Sequence, residues 1–528
     1  MSIGSRHNKT ANSRLAADRS ADLKSAVSPI CNRRHVAQSE DLRFRRRRAG
    51  FNPAIQQIEN LRYDASNSER QPTRRQFLHQ AALVAGGCAV PWIVPASARG
   101  GDGFTPPSER ITVGLIGHGL MGRGHLRVLL GRKETQVLAV CDVDRSRCEE
   151  GQRLSDETYA AERASGTYGG CAAYNDYREL LARPDIDAVV IVTPDHWHSL
   201  MSCDAAAAGK DIYCEKPISL NIREGRRLVE AIRRNGCVFQ TGTQYRSIPT
   251  IREVCAFVRR GGLGRVKQVF TLWNKTHVPK LGPSYVPLDP VLPAEPVPEG
   301  LDWNLWVGPA TWRPYNSAYH RNPPPGVVPW VFCDAFGAGA VTAYQSHAAD
   351  VIQYALGVET NAPVEIHHPS DGAFPTLTFR YANGTLLHHV DHWGQVKDLY
   401  RAVPANARLA GNFGGVFVGE RGWVTSMSTG GPIEAGPASL FREVQLATRE
   451  VNIGANNHHS NWFECIRTRA RPSSHEEIGH RSASLGHLAT IGYTLERSLK
   501  WNPATEEFHG NEQANRLLSR AMREPWRV

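Results

Sequence analysis

From Ile111 to His125 the chain runs ITVGLIGHGLMGRGH. The stretch Ile111 to Ile116 is short and apolar, the signature of a buried parallel strand. Gly117, Gly119 and Gly122 follow at once as G-x-G-x-x-G. In that frame the first glycine permits a tight turn, the second lets backbone approach a pyrophosphate, and the third lets a helix pack on the strand. The helix starting there offers unpaired N–H groups and its positive dipole end to phosphates. Leu120 and Met121 open that helix and join the set expected to face a cofactor. A second strand, QVLAVCD, ends at Asp142, 20 residues past Gly122. An acid at that distance accepts hydrogen bonds from ribose hydroxyls. The acid favours NAD, and Arg145 nearby leaves NADP open because it can take a 2′-phosphate.

The alternation continues. NDYRELL is expected as a helical turn and IDAVVIVTP as a strand ending at Thr193-Pro194. A helix is expected from Ser199 until Gly209 stops it. DIYCEKP is expected as a strand ending in Glu215-Lys216-Pro217, REGRRLVEAIRRN as a helix stopped by Gly236, and VFQTGTQYR as the next strand. Strand and helix in turn predict a parallel, doubly wound sheet. Ligands of such sheets sit at the carboxyl ends of strands, where Thr193, Pro194, Glu215, Lys216, Gln240 and Gln244 fall. Past about 265 the text changes to extended stretches, VKQVFTLWN and PTLTFRYANGTLLHHV, with Asn383-Gly384 as a hairpin turn. Residues 279–298 predict a Pro-rich loop, and SASLGHLATIGYTLERSL a late helix.

Ahead of the glycine turn, Arg74-Arg75 with Phe77 and Leu78 have the order of a twin-arginine signal. The uncharged run Ala81 to Val94 is 14 residues, short of the roughly 20 that span a bilayer. Ala96-Ser97-Ala98 suits cleavage. A lipid anchor on Cys88 is disfavoured, because Ala85-Gly86-Gly87 lacks the large apolar residue of a lipobox. Residues 74–98 therefore predict a signal peptide, export by the twin-arginine machinery and a periplasmic protein. That route carries folded proteins, so a cofactor bound inside the cell can travel out with its protein. Residues 1–73 are polar and aperiodic, include Arg45 to Arg48, and are expected to be disordered.

The net charge of +11 would suggest a nucleic-acid partner, but residues 1–99 hold 17 Lys and Arg against 7 Asp and Glu, leaving 45 against 44 elsewhere. The basicity sits in the leader, so no nucleic acid is expected. The 11 cysteines are scattered without a C-x-x-C pair, as buried thiols are. His388-His389 and His458-His459 are adjacent pairs, unlike the i,i+4 spacing of a helical zinc site, and no metal is expected. No stretch outside the leader is apolar enough for stable membrane insertion.

GLIGHGLMG, TPDHWH, AGKDIYCEKP and GTQYRS resemble the Gfo/Idh/MocA family, the glucose–fructose oxidoreductase and inositol dehydrogenase group. The likeness continues in GGLGRV, LDWNLWVGPA, HAADVIQYALG and the closing LKWNPATEEFHGNEQANRLLSRAMREPW, so it covers about 105–528. It implies an α/β fold: a Rossmann domain over 108–245, a C-terminal α/β domain over 246–500 built on a large, mostly antiparallel sheet, and a tail over 501–528. That sheet commonly forms the family's oligomer interface, so a homo-oligomer, dimer or tetramer, is expected.

The resemblance also implies roles. Lys216 would trade a proton with the substrate hydroxyl while hydride goes to the nicotinamide; a partly desolvated lysine suits acid–base work. Glu215 would orient it or bond the cofactor ribose. Thr193, Pro194 and His198 would line the cofactor side, and Gln244 and Arg246 would approach nicotinamide and substrate. In GAGAVTAYQSHAADVIQYALG, His347 matches the family histidine and Asp350 the following acid, but the acid expected four residues before His347 is Ala343. Helical spacing of four would have put acid and histidine on one face. Lys216 and His347 are thus the expected catalytic pair, with Tyr344 a further substrate contact. Three functions stay open: an exported NAD-dependent oxidoreductase acting on a sugar, sugar alcohol or cyclitol; a glycoside hydrolase or lyase that retains NAD for transient oxidation; and a non-catalytic sugar-binding protein.

Overall fold

The apolar run before the glycine turn becomes the strand on which the nucleotide half is organised. The computed structural model describes residues 109–528 apart from 274–275, 279–281, 321–329, 402, 405, 412, 427–431 and 450–456. The twin-arginine segment, its cleavage site, Cys88 and the polar extension lie outside the described residues. Strand β1 (Ile111–Ile116) is followed by α1 (Leu120–Leu130), β2 (Thr135–Cys141), α2 (Arg145–Thr158), β3 (Ala172–Tyr174), β4 (Ala188–Ile191), α3 (Asp195–Ala207), β5 (Asp211–Cys214), α4 (Ile222–Asn235) and β6 (Phe239–Thr241). The strands form one parallel sheet in the order β3-β2-β1-β4-β5-β6. The order reverses between β1 and β4, and that reversal opens a crevice at the strands' carboxyl ends.

Local chemistry explains the boundaries. Asp144 caps α2 by accepting from Ser146 N–H, and Asn221 caps α4 by accepting from Glu224 N–H. Gly236 ends α4 in the left-handed conformation, φ 64°. Two segments differ from expectation. Helix α3 starts at Asp195, straight after Pro194, rather than at Ser199. The strand expected through VFQTGTQYR stops at Thr241, and Gln244–Ser247 turns as a 3-10 helix.

The rest of the chain builds a nine-stranded sheet. Its strands are β7 (Val266–Leu272), β10 (Glu365–His367), β11 (Thr378–Arg380), β12 (Leu386–Val390), β13 (Gly415–Gly419), β14 (Gly422–Ser426), β15 (Ala435–Gly436), β16 (Leu499–Asn502) and β17 (Glu507–Phe508), while β8 (Thr276–Val278) and β9 (Gly282–Ser284) pair separately. The order is β15-β14-β13-β7-β12-β11-β10-β16-β17. The pairing of β7 with β12 is parallel and the others are antiparallel. The hairpin turn falls at Asn383-Gly384, with Gly384 at φ 85°. Helices α5 (Pro249–Arg259), α6 (Ser346–Leu356) and α8 (Glu476–Leu495) cover one face around Val269, Phe379, Leu387 and Phe417.

The two halves are less separate along the chain than the expected boundaries. Helix α7 (His458–Thr468) puts Trp462 and Phe463 into the parallel-sheet core beside Val113, Leu115 and Leu126. The boundary drawn at 500 falls inside β16, and 501–528 is no detached tail. Trp501 and Phe508 complete the second core, and Trp526 returns to pack edge-on against Trp197 at 4.9 Å. None of the nine described cysteines forms a disulfide. No described helix is long and apolar enough to cross a membrane.

Candidate active site

A cavity of about 380 Å³ runs from the glycine turn to the start of α6. Its first wall is the turn itself. Gly117 has φ +93°, and a Cβ there would meet Val192 O at 2.5 Å. A Cβ on Gly122 would lie 2.0 Å from Gly117 O, so helix and turn approach too closely for any side chain. Gly122 itself does not line the cavity. At Gly119 the nearest atom to a Cβ is Arg147 Nη1 at 3.8 Å, which leaves open the space a pyrophosphate needs. Leu120 and Met121 are 69% and 56% exposed at the cavity rim, apolar surface available to cover a bound ring. Asp142 accepts His118 N–H at 2.7 Å and Asp144 N–H at 2.9 Å, so it shapes the turn as well as lining the cavity. Arg147 lines the cavity beside it, whereas Arg145 is exposed and gives its backbone N–H to Gly300 O. Glycine turn, ribose acid and open crevice together fit a dinucleotide.

A second wall comes from far along the chain. Asp302 N–H donates to Val143 O at 2.9 Å, and Leu301 bridges Asp144. His196 Nε2 and Trp197 Nε1 both meet Trp306 O, at 3.0 and 3.1 Å. Arg523 donates to Gly308 O at 2.8 Å. Leu305, Trp306, His320, Trp330 and Val331 thereby form an aromatic strap over the cavity.

The strand ends bring Thr193, Pro194, His198, Glu215 and Lys216 into the same cavity. The Lys216-Pro217 peptide is cis. His198 reaches Pro217 O at 2.7 Å and Thr193 O at 2.8 Å, tying the turn after β4 to the turn after β5. Glu215 is buried. His125 Nε2 donates to its Oε1 at 3.0 Å, Gln244 Nε2 donates to the same oxygen at 2.7 Å, and Lys216 N–H reaches Oε2 at 3.3 Å. Burial alone would raise the Glu215 carboxyl, but His125 and the Lys216 charge hold it well below the usual range. His459 continues the chain of contacts, 3.1 Å from His125 Nδ1 and stacked on Tyr213 at 4.8 Å.

Facing Lys216 is a single π-helical turn, Ala340–Tyr344, just ahead of α6. Such turns interrupt helical hydrogen bonding and are frequent at functional sites. Lys216 Nζ donates to Ala343 O at 2.9 Å, and Tyr344, 39% exposed, lies with its ring 6.0 Å from Nζ. Position 343, where an acid was expected, thus meets Lys216 with its backbone carbonyl. Asp195 also lines this end, and its Oδ2 accepts Ala338 N–H at 3.0 Å.

Three expected site residues lie elsewhere. His347 is buried against Tyr245 at 4.5 Å and Phe413 at 5.4 Å, outside the cavity lining. Burial and then Lys216 push it down to about 3, so it is neutral at neutral pH. The π turn breaks the regular helical spacing that would have put 343 and 347 together. Arg246 is spent on structure: it pairs with both oxygens of Asp350 at 2.6 and 2.7 Å, with Glu359 at 3.0 Å, and donates to Ser473 O. Gln244 holds Glu215 and Tyr213 instead of lining the cavity. Missed from the sequence were Asp195, His125, His459, Arg147 and the strap. Asp195 carried a signal, since it directly follows Thr193-Pro194 at a strand end.

Residues 111–243 match the GFO_IDH_MocA family, described as "Oxidoreductase family, NAD-binding Rossmann fold". Residues 286–395 and 447–528 match its "Oxidoreductase family, C-terminal alpha/beta domain". Among curated relatives, the levoglucosan dehydrogenase of Pseudarthrobacter phenanthrenivorans is 30% identical over 159 residues, 30% of this chain and 39% of that protein. The alpha-N-acetylgalactosaminidase of Shewanella oneidensis is 29% identical over 189 residues, 33% of this chain and 40% of that protein. The inositol 2-dehydrogenase of Salmonella paratyphi B is 30% identical over 127 residues, 24% of this chain and 34% of that protein. The chain spans less than half the length of each of these relatives.

Proposed function

Because the chain belongs to the Gfo/Idh/MocA oxidoreductase family and carries its NAD-binding Rossmann fold, we propose that it oxidises or reduces a sugar, sugar alcohol or cyclitol with a nicotinamide it keeps bound. When bound, the nicotinamide would supply the hydride acceptor for oxidation and, in its reduced form, the hydride donor for reduction. Lys216 holds and moves the proton of the reacting hydroxyl. The observation that carries the proposal is the position of Lys216, in one cavity with the glycine turn and Asp142 and aimed at the π turn. Glu215, gripped by His125 and Gln244, positions the Lys216 backbone. Thr193, Pro194 and His198 form the wall toward the cofactor. The relatives named for levoglucosan and inositol support a polyhydroxylated substrate.

The strap supports retention: Val143 O, Arg145 N–H, His196 and Trp197 all bond to it, so opening it over a cofactor means breaking several hydrogen bonds together. A retained cofactor suits export, since little free nicotinamide is met outside the cell. We place the mature protein in the periplasm, delivered by the twin-arginine machinery through Arg74-Arg75 and cleaved after Ala98, and assembled as a dimer or tetramer. A second function uses the same parts: a glycoside hydrolase acting by transient oxidation, which the N-acetylgalactosaminidase relative favours.

The test is mass spectrometry of denatured protein purified from periplasm, followed by single-turnover mixing with levoglucosan, myo-inositol and simple glycosides. Expected are one nicotinamide cofactor per chain, a start at Arg99, and transient or lasting reduction of the cofactor. Lasting reduction marks a dehydrogenase, and turnover of a glycoside without added acceptor marks the hydrolase. Cofactor-free protein that binds sugars unchanged would end both. Export should be lost in the R74K/R75K double variant.

A further inference from the structure

The substrate end of the cavity contains a carboxyl that no expected role uses. Asp195 is the first residue of α3, 2% exposed, and lines the cavity together with Lys216, Ala343 and Tyr344. Its Oδ2 accepts Ala338 N–H at 3.0 Å. Its Oδ1 has no hydrogen-bond partner among the described residues. The carboxyl lines the cavity, where a ligand hydroxyl can reach it. The same turn meets Lys216 at its other end, where Nζ bonds Ala343 O at 2.9 Å. Asp195 and Lys216 thus approach the 338–344 turn from two neighbouring strand ends of the parallel sheet, and the carboxyl expected at 343 is absent.

We propose that Asp195 supplies the carboxyl that position 343 lacks, accepting a hydrogen bond from a second hydroxyl of the ligand whose first hydroxyl meets Lys216. This rests on Lys216 engaging a hydroxyl, as proposed above, and it requires of that polyol two hydroxyls placed to reach Lys216 and Asp195 together. Asp195 makes its own contact with substrate and requires no proton transfer of its own. Its charge responds to pH in the neutral range: burial pushes the carboxyl up to about 7 against the pull of Ala338 N–H and Lys216, with Glu215 adding to the rise. Tyr344 faces the same carboxyl. Polyol binding should therefore strengthen as pH rises through about 7.

The test uses the full mature protein with its cofactor. Asp195→Asn keeps an oxygen for Ala338 N–H, so the turn persists. The infrared carboxyl band lost in D195N identifies Asp195. That band is expected to shift with glycerol and stay in place with 1-propanol, independently of any turnover. A band unmoved by glycerol, or moved equally by both, overturns the proposal. With levoglucosan or myo-inositol, D195N should raise KM by about 10- to 100-fold, the effect of one hydrogen bond to a charged group, with kcat changed far less. Ala343→Asp added to D195N should recover at least about tenfold of that loss. A purely structural Asp195 would lower stability without the glycerol shift or the rescue, and that result also overturns it. Failure of all sugars to reduce the cofactor, with the glycerol shift intact, counts against the oxidoreductase function alone.

Discussion

The two walls of the cavity are made in different ways. The nucleotide wall comes from one continuous stretch, 117 to 216, in which Asp142, Thr193, Glu215 and Lys216 sit at the ends of strands. The opposite wall is collected from 301–320, 330–331 and 338–344 and is pinned by Arg523 near the C-terminus. The first is held by backbone that has no room for side chains, as at Gly122. The second is held by side chains reaching backbone oxygens: Lys216 to Ala343, His196 and Trp197 to Trp306. A backbone-built wall tolerates little change at a few glycines, whereas a side-chain-built wall depends on burial and protonation.

Acid should expose that difference most strongly. Burial pushes His347, His459 and His487 down to about 3, and His388 and His458 to about 4, all after residue 245; His196 in the nucleotide half is also at about 4. An unfolded histidine titrates near 6.5. The folded chain therefore keeps these rings neutral, and its stability, full above about 6.5, is lost as pH falls toward 4. Each contributes a loss of about 2 kcal/mol by pH 5. Hydrogen exchange at pH 5 should show protection lost first around these rings, α7 included, and later in β1 and β2. Loss at the same pH in both would erase the distinction.

The next effect is at the backbone wall. Gly122→Ala places a methyl 2.0 Å from Gly117 O, and should cost more than about 3 kcal/mol and leave the purified protein without cofactor. Gly124→Ala, two residues on in the same helix with nothing within 4 Å, should instead stabilise by about 0.5–1 kcal/mol. Thermal melts and cofactor content decide, and similar behaviour of the two would mean the turn is not backbone-limited.

At the junction of the walls, Lys216→Ala should slow single-turnover hydride transfer by at least about 100-fold with little change in cofactor content. His347→Phe, which keeps the packing between Tyr245 and Phe413, should change that rate by less than about tenfold. A larger loss in the His347 variant would exchange their roles. The smallest effect is at the ribose end. Asp142→Ala should weaken NAD by about 1–3 kcal/mol, and NADP by less because Arg147 remains. Direct titration of cofactor-stripped protein measures both, and equal weakening would limit Asp142 to shaping the turn through His118.

Short-range rules made the nucleotide half legible. Strand β1, Asp142 and the strand-end positions of Thr193, Glu215 and Lys216 follow from apolar runs, glycine geometry and strand–helix alternation, because a parallel sheet places all its carboxyl ends on one edge. The antiparallel character of the second sheet was legible from its hairpin turn and from resemblance. Arg246 and His347 were misplaced for a common reason: sequence spacing cannot tell which buried partner takes a charge or a ring. Asp350 and Glu359 took the arginine, and Tyr245 and Phe413 took the histidine.

What the chain determined by itself was the strand–turn–helix at 111–130, since Gly122, where a Cβ would meet Gly117 O at 2.0 Å, acts only five residues away. Only the tertiary structure decided what faces Lys216. The π turn, Asp195 with one oxygen open to the cavity, and the strap over the crevice meet across 85 or more residues of chain from Lys216, or across the gap between two strands. Such meetings depend on burying both cores at once, and no local spacing encodes them.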